Sequence, residues 1–243
     1  MEENTKTNAD EISENNSDIT LTNDFIKVVR DFANDLMNTF SDILENTENP
    51  IKEIYNLNNS EEKDENRIQE LIKSVYIHCK EEFPKHFFDI LYESGDIFKV
   101  NDELYLLPNI DFVKLWKTDI SDNTRSTIWK YLQLILFTVV SDIKTGDTFG
   151  DTTKLFEAIN NDEFKEKIEA SLKEMENIFN RGEDDTQNVP LDLPKADDLH
   201  EHINNMMNGK IGCLAKEIAE ETAEELDIDM TDASSINDVF NKL

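Results

Sequence analysis

An all-α fold is predicted by the way this sequence spaces its apolar residues and by where it keeps its rings. Apolar side chains recur at steps of three and four along most of the chain, the spacing that lines one face of a helix. Of the aromatic residues (14 Phe, 5 Tyr, 2 Trp), all but Phe240 lie between Phe25 and Phe179. Aromatic rings contribute heavily to a core, so that interval marks the folded body. Only one segment, Ile97 to Leu107, has a pattern that could pair as strands. The expected architecture is an irregular helical bundle around a central apolar helix.

Residues 1–21 are acidic and polar, with too little apolar surface to offset chain entropy, and are expected to be disordered. A helix then begins near Thr22 or Asn23, either of which can cap free amides. Phe25, Val28, Val29, Phe32, Leu36, Phe40, Ile43 and Leu44 form its stripe. The Asn- and Glu-rich stretch from Thr47 to Asn66 reads as a loop. A second helix carries Ile68, Leu71, Ile72, Val75 and Cys79 on one face until Pro84, which suits the first turn of another helix. That helix holds Phe87, Phe88, Ile90 and Leu91 and is expected to end at Gly95. In the Ile97–Leu107 segment Asn101-Asp102 is a usable turn, and a short β-hairpin is left open there.

DFVKLW after Pro108 reads as a short helical turn. Ser121 caps the next helix, which should stop at Gly146. Residues 121–145 hold three basic and two acidic side chains, a net +1 in a chain of net charge −30. Apolar residues surround this helix on nearly all sides, so it should be the one on which the others pack. A short helix from Asp151 follows, then a longer one with Phe164, Ile168, Leu172, Met175 and Phe179, ending at Gly182. The domain reading is a helical core at 22–182, an acidic linker at 183–196 with Pro190 and Pro194, and a C-terminal helical region at 197–243. In that last region Leu214, Ile218 and Leu226 make a thin apolar stripe that needs a partner surface, and they are the candidate partner-binding residues. The final amphipathic pattern is unfinished at Leu243, and the natural chain is expected to continue.

With 24 basic against 54 acidic residues, the chain is unsuited to a phosphate backbone, which needs Lys and Arg to displace counterions. An anionic membrane is disfavoured for the same reason. The longest apolar run, Ile128 to Val140, is interrupted by Lys130 and Gln133 and is shorter than the roughly 20 residues a bilayer requires. Two cysteines, Cys79 and Cys213, suit a reducing compartment, and no signal peptide opens the sequence. An intracellular protein is the expectation, with a basic protein as the partner its charge would attract.

No catalytic signature stands out. Six glycines in the whole chain leave little material for a phosphate-cradling loop. Asp227–Asp238 is spaced like a calcium loop, yet Asp232 stands where the turn needs Gly and Asp238 where a bidentate Glu belongs. His200, His202 and Cys213 fall one ligand short of a structural zinc site. His78 and Cys79 are neighbours and point apart on a helix. No cofactor and no metal are expected.

Five blocks taken together resemble a known family: DFIKVVRDFANDLMNTF, CKEEFPKHFFDILYES, LLPNIDFVKLW, DISDNTRSTIWKYLQLILFTVV and GKIGCLAKEIAEETAEEL. They are similar to a helical protein of unknown function encoded by nucleocytoplasmic large DNA viruses, the mimivirus-like giant viruses. The resemblance runs from about residue 22 to the end. It implies a viral origin and a setting in the host cytoplasm or the virion, and it brings no activity, cofactor or catalytic residue. The expected function is a non-enzymatic interaction or virion-associated protein whose acidic surface engages a basic protein. One alternative is an enzyme with a site built from scattered carboxylates and His78 or His86. Another is an acidic nucleic-acid mimic, which needs carboxylates spaced like phosphates along one face.

Overall fold

A computed structural model describes residues 21–144, 149–150, 152, 155–156, 159–179 and 193–207, with side chains described as far as Met175 in the helix that ends at Phe179. Helix α1 (Asn23–Thr39) starts where Thr22 accepts the Phe25 amide at 3.2 Å. Its stripe from Phe25 to Leu36 is buried. The backbone breaks at Phe40, and the same stripe continues into a short helix, α2 (Ser41–Leu44), whose Leu44 is buried.

The stretch expected to be a loop contains a helix, α3 (Pro50–Asn58). Asn49 accepts the Lys52 amide at 2.8 Å, and Pro50 occupies the first turn, where its missing N–H leaves nothing unpaired. Ile51 and Ile54 are 1% and 0% exposed, and the helix packs against α1 and α4 (Glu65–Glu82). Two buried isoleucines three apart are enough to seat a short helix once neighbours supply the other wall. In α4, Ile68, Leu71, Ile72, Val75 and Cys79 share the buried face as the spacing predicts, joined by Tyr76.

Pro84 opens a 3₁₀ turn (Phe83–His86) that leads into α5 (Phe87–Leu91). The turn after α5 is made by Glu93 at φ 55°, two residues before the Gly95 expected to end it. The hairpin does not form: Ile97–Val100 is a helical turn, α6, and residues 101–107 run as a loop with one isolated bridge, Leu107 to Ile110. Ile97 and Phe98 are adjacent and both buried, which a strand exposing alternate faces would not allow. The Asp111 carboxylate accepts the amides of Leu104 and Val113 at 3.1 and 3.0 Å, taking the place of a partner strand.

Helix α7 (Phe112–Trp116) brings Trp116 onto Phe98, with centroids 4.3 Å apart. Helix α8 (Asp122–Ser141) is capped by Ser121, which accepts the Thr124 amide. Every residue from Ile128 to Phe137 is buried, and α8 touches α1, α4, α5, the 3₁₀ turn and α9 (Asn161–Phe179). This is the central helix. It ends at Ser141, while the expected stop at Gly146 lies outside the described residues.

In α9, Phe164, Ile168, Leu172 and Met175 face the core. Beyond the linker, residues 196–207 form helix α10, whose Leu199, Ile203, Met206 and Met207 join the same hydrophobic cluster as the rest of the body. His202 Nε2 lies 3.2 and 2.8 Å from the carbonyls of Val140 and Ile143, donating to the C-terminal end of α8. Leu214, Ile218 and Leu226, the acidic N-terminus and the Asp227–Asp238 loop lie outside the described residues. Among the described residues, no helix is long and apolar enough to cross a membrane.

Candidate functional site

The histidines named by the sequence are held in separate places. His78 Nε2 lies 2.7 Å from the Tyr105 carbonyl and donates to it. Cys79, next to it, points inward with Sγ 3.8 Å from the Leu106 carbonyl, and full burial pushes its thiol pKa well up. A buried neutral thiol is a poor nucleophile. His86 ends the 3₁₀ turn; burial lowers its pKa, against the opposing pull of Asp89 and Glu82. His200 lies against Phe164 and His202 caps α8, so these two neighbours serve different surfaces. No group of three His, Cys, Asp or Glu side chains that could hold a metal occurs among the described residues.

A buried polar cluster interrupts the apolar surface of α8. The Lys130 side chain is 4% exposed, and its ammonium lies 2.7 Å from Glu93 and 2.9 Å from Glu174. Burial works against the charged form, but the two carboxylate bonds win and raise the Lys130 pKa. Gln133 donates to the carbonyls of Ile90 and Leu91 and to Glu93, which satisfies the last turn of α5. The left-handed backbone of Glu93 aims its carboxylate at these two side chains of α8, so the cluster is a structural tie between α5, α8 and α9.

A cleft of a different kind opens between the C-terminal half of α1 and the first turns of α8. Its volume is about 190 Å³. Phe32, Leu36, Phe40 and Ile128 make the apolar floor; Asp35, Thr39, Thr124, Thr127 and Tyr131 supply polar groups. Tyr131 stacks on Phe32 with centroids 4.6 Å apart and donates its hydroxyl to Asp35 at 2.8 Å. Burial and that bond to a carboxylate push the phenol pKa far up, so it stays a neutral donor. Spacing on the two helices makes this possible: Asp35 and Thr39 are one turn apart on α1, and Thr124, Thr127 and Tyr131 form one stripe on α8. The stripe was not distinct in the sequence, because every residue from Asp122 to Thr127 is polar. Nothing in the sequence joined it to Asp35.

Two larger depressions are shallow and mixed in charge. One, of about 570 Å³, is bordered by Glu48, Lys52, Glu53, Arg67 and Asn109. Its Arg67 is held by Glu53 at 2.7 Å. The other, of about 700 Å³, lies beside Leu21, Ile26, Gln69 and Lys73. None of the three contains a histidine. No family model, no curated protein and no solved structure matches this chain.

Proposed function

We propose that this chain is a non-enzymatic binding protein whose carboxylate-rich surface engages a basic protein. The observation that carries the reading is how the scarce positive charge is used. Arg30, Arg67, Lys85, Lys99, Lys114, Lys130 and Lys165 each lie beside a carboxylate of the same chain. These cations are matched within the fold, in a chain that holds 30 more acidic than basic residues. Along α9, Asp162, Glu163, Glu166, Glu169 and Glu174 are exposed; on α10 so are Asp198 and Glu201. Lys165 of α9 reaches Asp197 of α10 at 2.6 Å, so the two acidic helices lie edge to edge.

Support for a non-enzymatic role comes from how three buried ionisable groups and the partly exposed His78 are held. Lys130, Tyr76 and Tyr131 each bond to a carboxylate within the fold, and His78 to a backbone carbonyl. Such bonds hold helices together and leave these groups committed. On the resemblance to giant-virus proteins, the proposed setting is the cytoplasm of an infected cell or the virion.

Pull-down of the tagged chain from infected cells, at low and at high salt, tests the reading. Basic proteins should be enriched at low salt and released as the Debye length falls from about 10 Å at 0.1 M to about 3 Å at 1 M. Partners without a basic bias, or binding indifferent to salt, overturn it.

A further inference from the structure

We infer that the cleft between α1 and α8 receives a single lysine side chain of the basic protein partner, its stem on the apolar floor and its ammonium at Asp35. The inference rests on the acidic-surface reading and adds the place where one residue is recognised. Size is the first argument. About 190 Å³ corresponds to roughly six water-sized volumes. That suits one unbranched side chain and falls below the several hundred Å³ of a typical small-molecule site.

Charge is the second argument. No Lys or Arg lines the cleft, and Asp35 is exposed at its mouth. The Tyr131 hydroxyl occupies Asp35 Oδ2, and a carboxylate has further lone pairs for a second donor. Thr39 and Phe40 belong to the C-terminal end of α1, whose last turn carries no basic side chain. The last turn of α1 carries the negative end of the helix dipole, where an ammonium is favoured, while the Phe40 carbonyl itself accepts the Ile43 and Leu44 amides of α2. At the facing end of α8, Ser121 caps the first amides and Asp122 sits in the first turn, which offsets that helix's positive end.

Shape separates lysine from arginine. A guanidinium is bound best by a carboxylate that offers both oxygens side by side, and one oxygen of Asp35 is already taken by the phenol. A compact ammonium needs only one oxygen, and the Thr127 and Thr124 hydroxyls can accept its other protons. The methylene stem lies against Leu36, Phe40 and Ile128.

Synthetic peptides of alternating glycine and lysine, ornithine or arginine, titrated into the full chain at low salt, test the inference. All three carry equal charge, and ornithine differs from lysine by one methylene. The lysine peptide should bind about fourfold tighter than the ornithine peptide, the effect of one buried methylene, and also tighter than the arginine peptide. Asp35→Asn, which keeps an acceptor for Tyr131, should remove that preference while salt-dependent binding of all three peptides remains. Thr127→Leu, which fills the cleft, should do the same; a native-like amide spectrum of either variant establishes that it has folded. Equal binding of lysine and ornithine peptides, or a preference that survives in Asp35→Asn, overturns the cleft and leaves the acidic surface standing. Failure of every peptide to bind at low salt overturns both. n-Butylammonium binding as tightly as the lysine peptide also overturns the inference, since the cleft would then serve a free amine.

Discussion

At Lys130 one ammonium, 4% exposed, is shared by two carboxylates that are themselves 29% and 55% exposed. Removing the cation does not strand two buried anions, because Glu174 can turn to water and Glu93 can partly follow. The full 3–5 kcal/mol of a broken buried pair therefore does not apply. Lys130→Met, which keeps the stem, should lower the free energy of unfolding by about 1–2 kcal/mol. Lys130→Ala adds the loss of the buried stem and should cost about 1–2 kcal/mol more; urea midpoints at unchanged slope give both numbers. Asp31 offers a test with the opposite sign. Burial raises its pKa above the ordinary 3.8; Lys27 opposes the shift and Asp35 adds to it. The folded state therefore holds the Asp31 proton more readily than the unfolded chain does. The resulting stability is fully present below 3.8 and is lost as pH rises through the folded value. At neutral pH the ionised carboxyl is a liability, so Asp31→Asn should raise the melting temperature at pH 7. The gain should shrink steadily in scans taken toward pH 4, and a difference that grows on acidification would contradict the burial argument.

Helix α3 shows what an element can hide from its sequence. Its composition is that of a loop, and its apolar signal is short: Ile51 and Ile54, with Tyr55 and Leu57 half-buried. Sequence patterning weighs runs of several turns, so α1, α4 and α8 are legible from their stripes, whereas a nine-residue helix is seated by walls contributed from α1 and α4. The Asn49-Pro50 pair was the readable start signal, an N-cap residue followed by a first-turn proline. Substitution makes the case measurable. Ile54→Ala should cost about 2–5 kcal/mol, as for a fully buried branched residue. The same change at Ile77, 38% exposed on α4, should cost less than about 1 kcal/mol. Asn49→Ala, which frees the Lys52 amide, should cost about 1 kcal/mol. Equal losses at Ile54 and Ile77, read by thermal unfolding, would mean that α3 does not belong to the core. The cleft beside α1 was illegible for a different reason. Asp35 and Tyr131 are 96 residues apart, and no local period connects positions that only the packing of α8 on α1 brings together.

Across the whole molecule, charge and core act in opposite directions. A central helix wrapped on all sides holds the described body together, while the chain's net charge of −30 repels itself and weakens the compact state. Among the described residues the ion pairs are mostly exposed, and each contributes little. Screening should therefore stabilise this protein. Raising salt from 0.01 M to 0.3 M shortens the Debye length from about 30 Å to well under 10 Å, which removes the long-range repulsion and spares the short contacts. A gain of roughly 1 kcal/mol follows, or about 2–4 °C in melting temperature for a chain of this size. The same salt should weaken capture of a basic partner, because there the long-range term is attractive. The two responses must carry opposite signs if one acidic surface is responsible for both. Differential scanning fluorimetry and a peptide titration across the same salt series decide the matter. A melting temperature that falls with salt would mean that attractive ion pairs dominate the fold. In that case short-range pairs outweigh the long-range repulsion in the folded state, and the charge surplus is not what limits its stability.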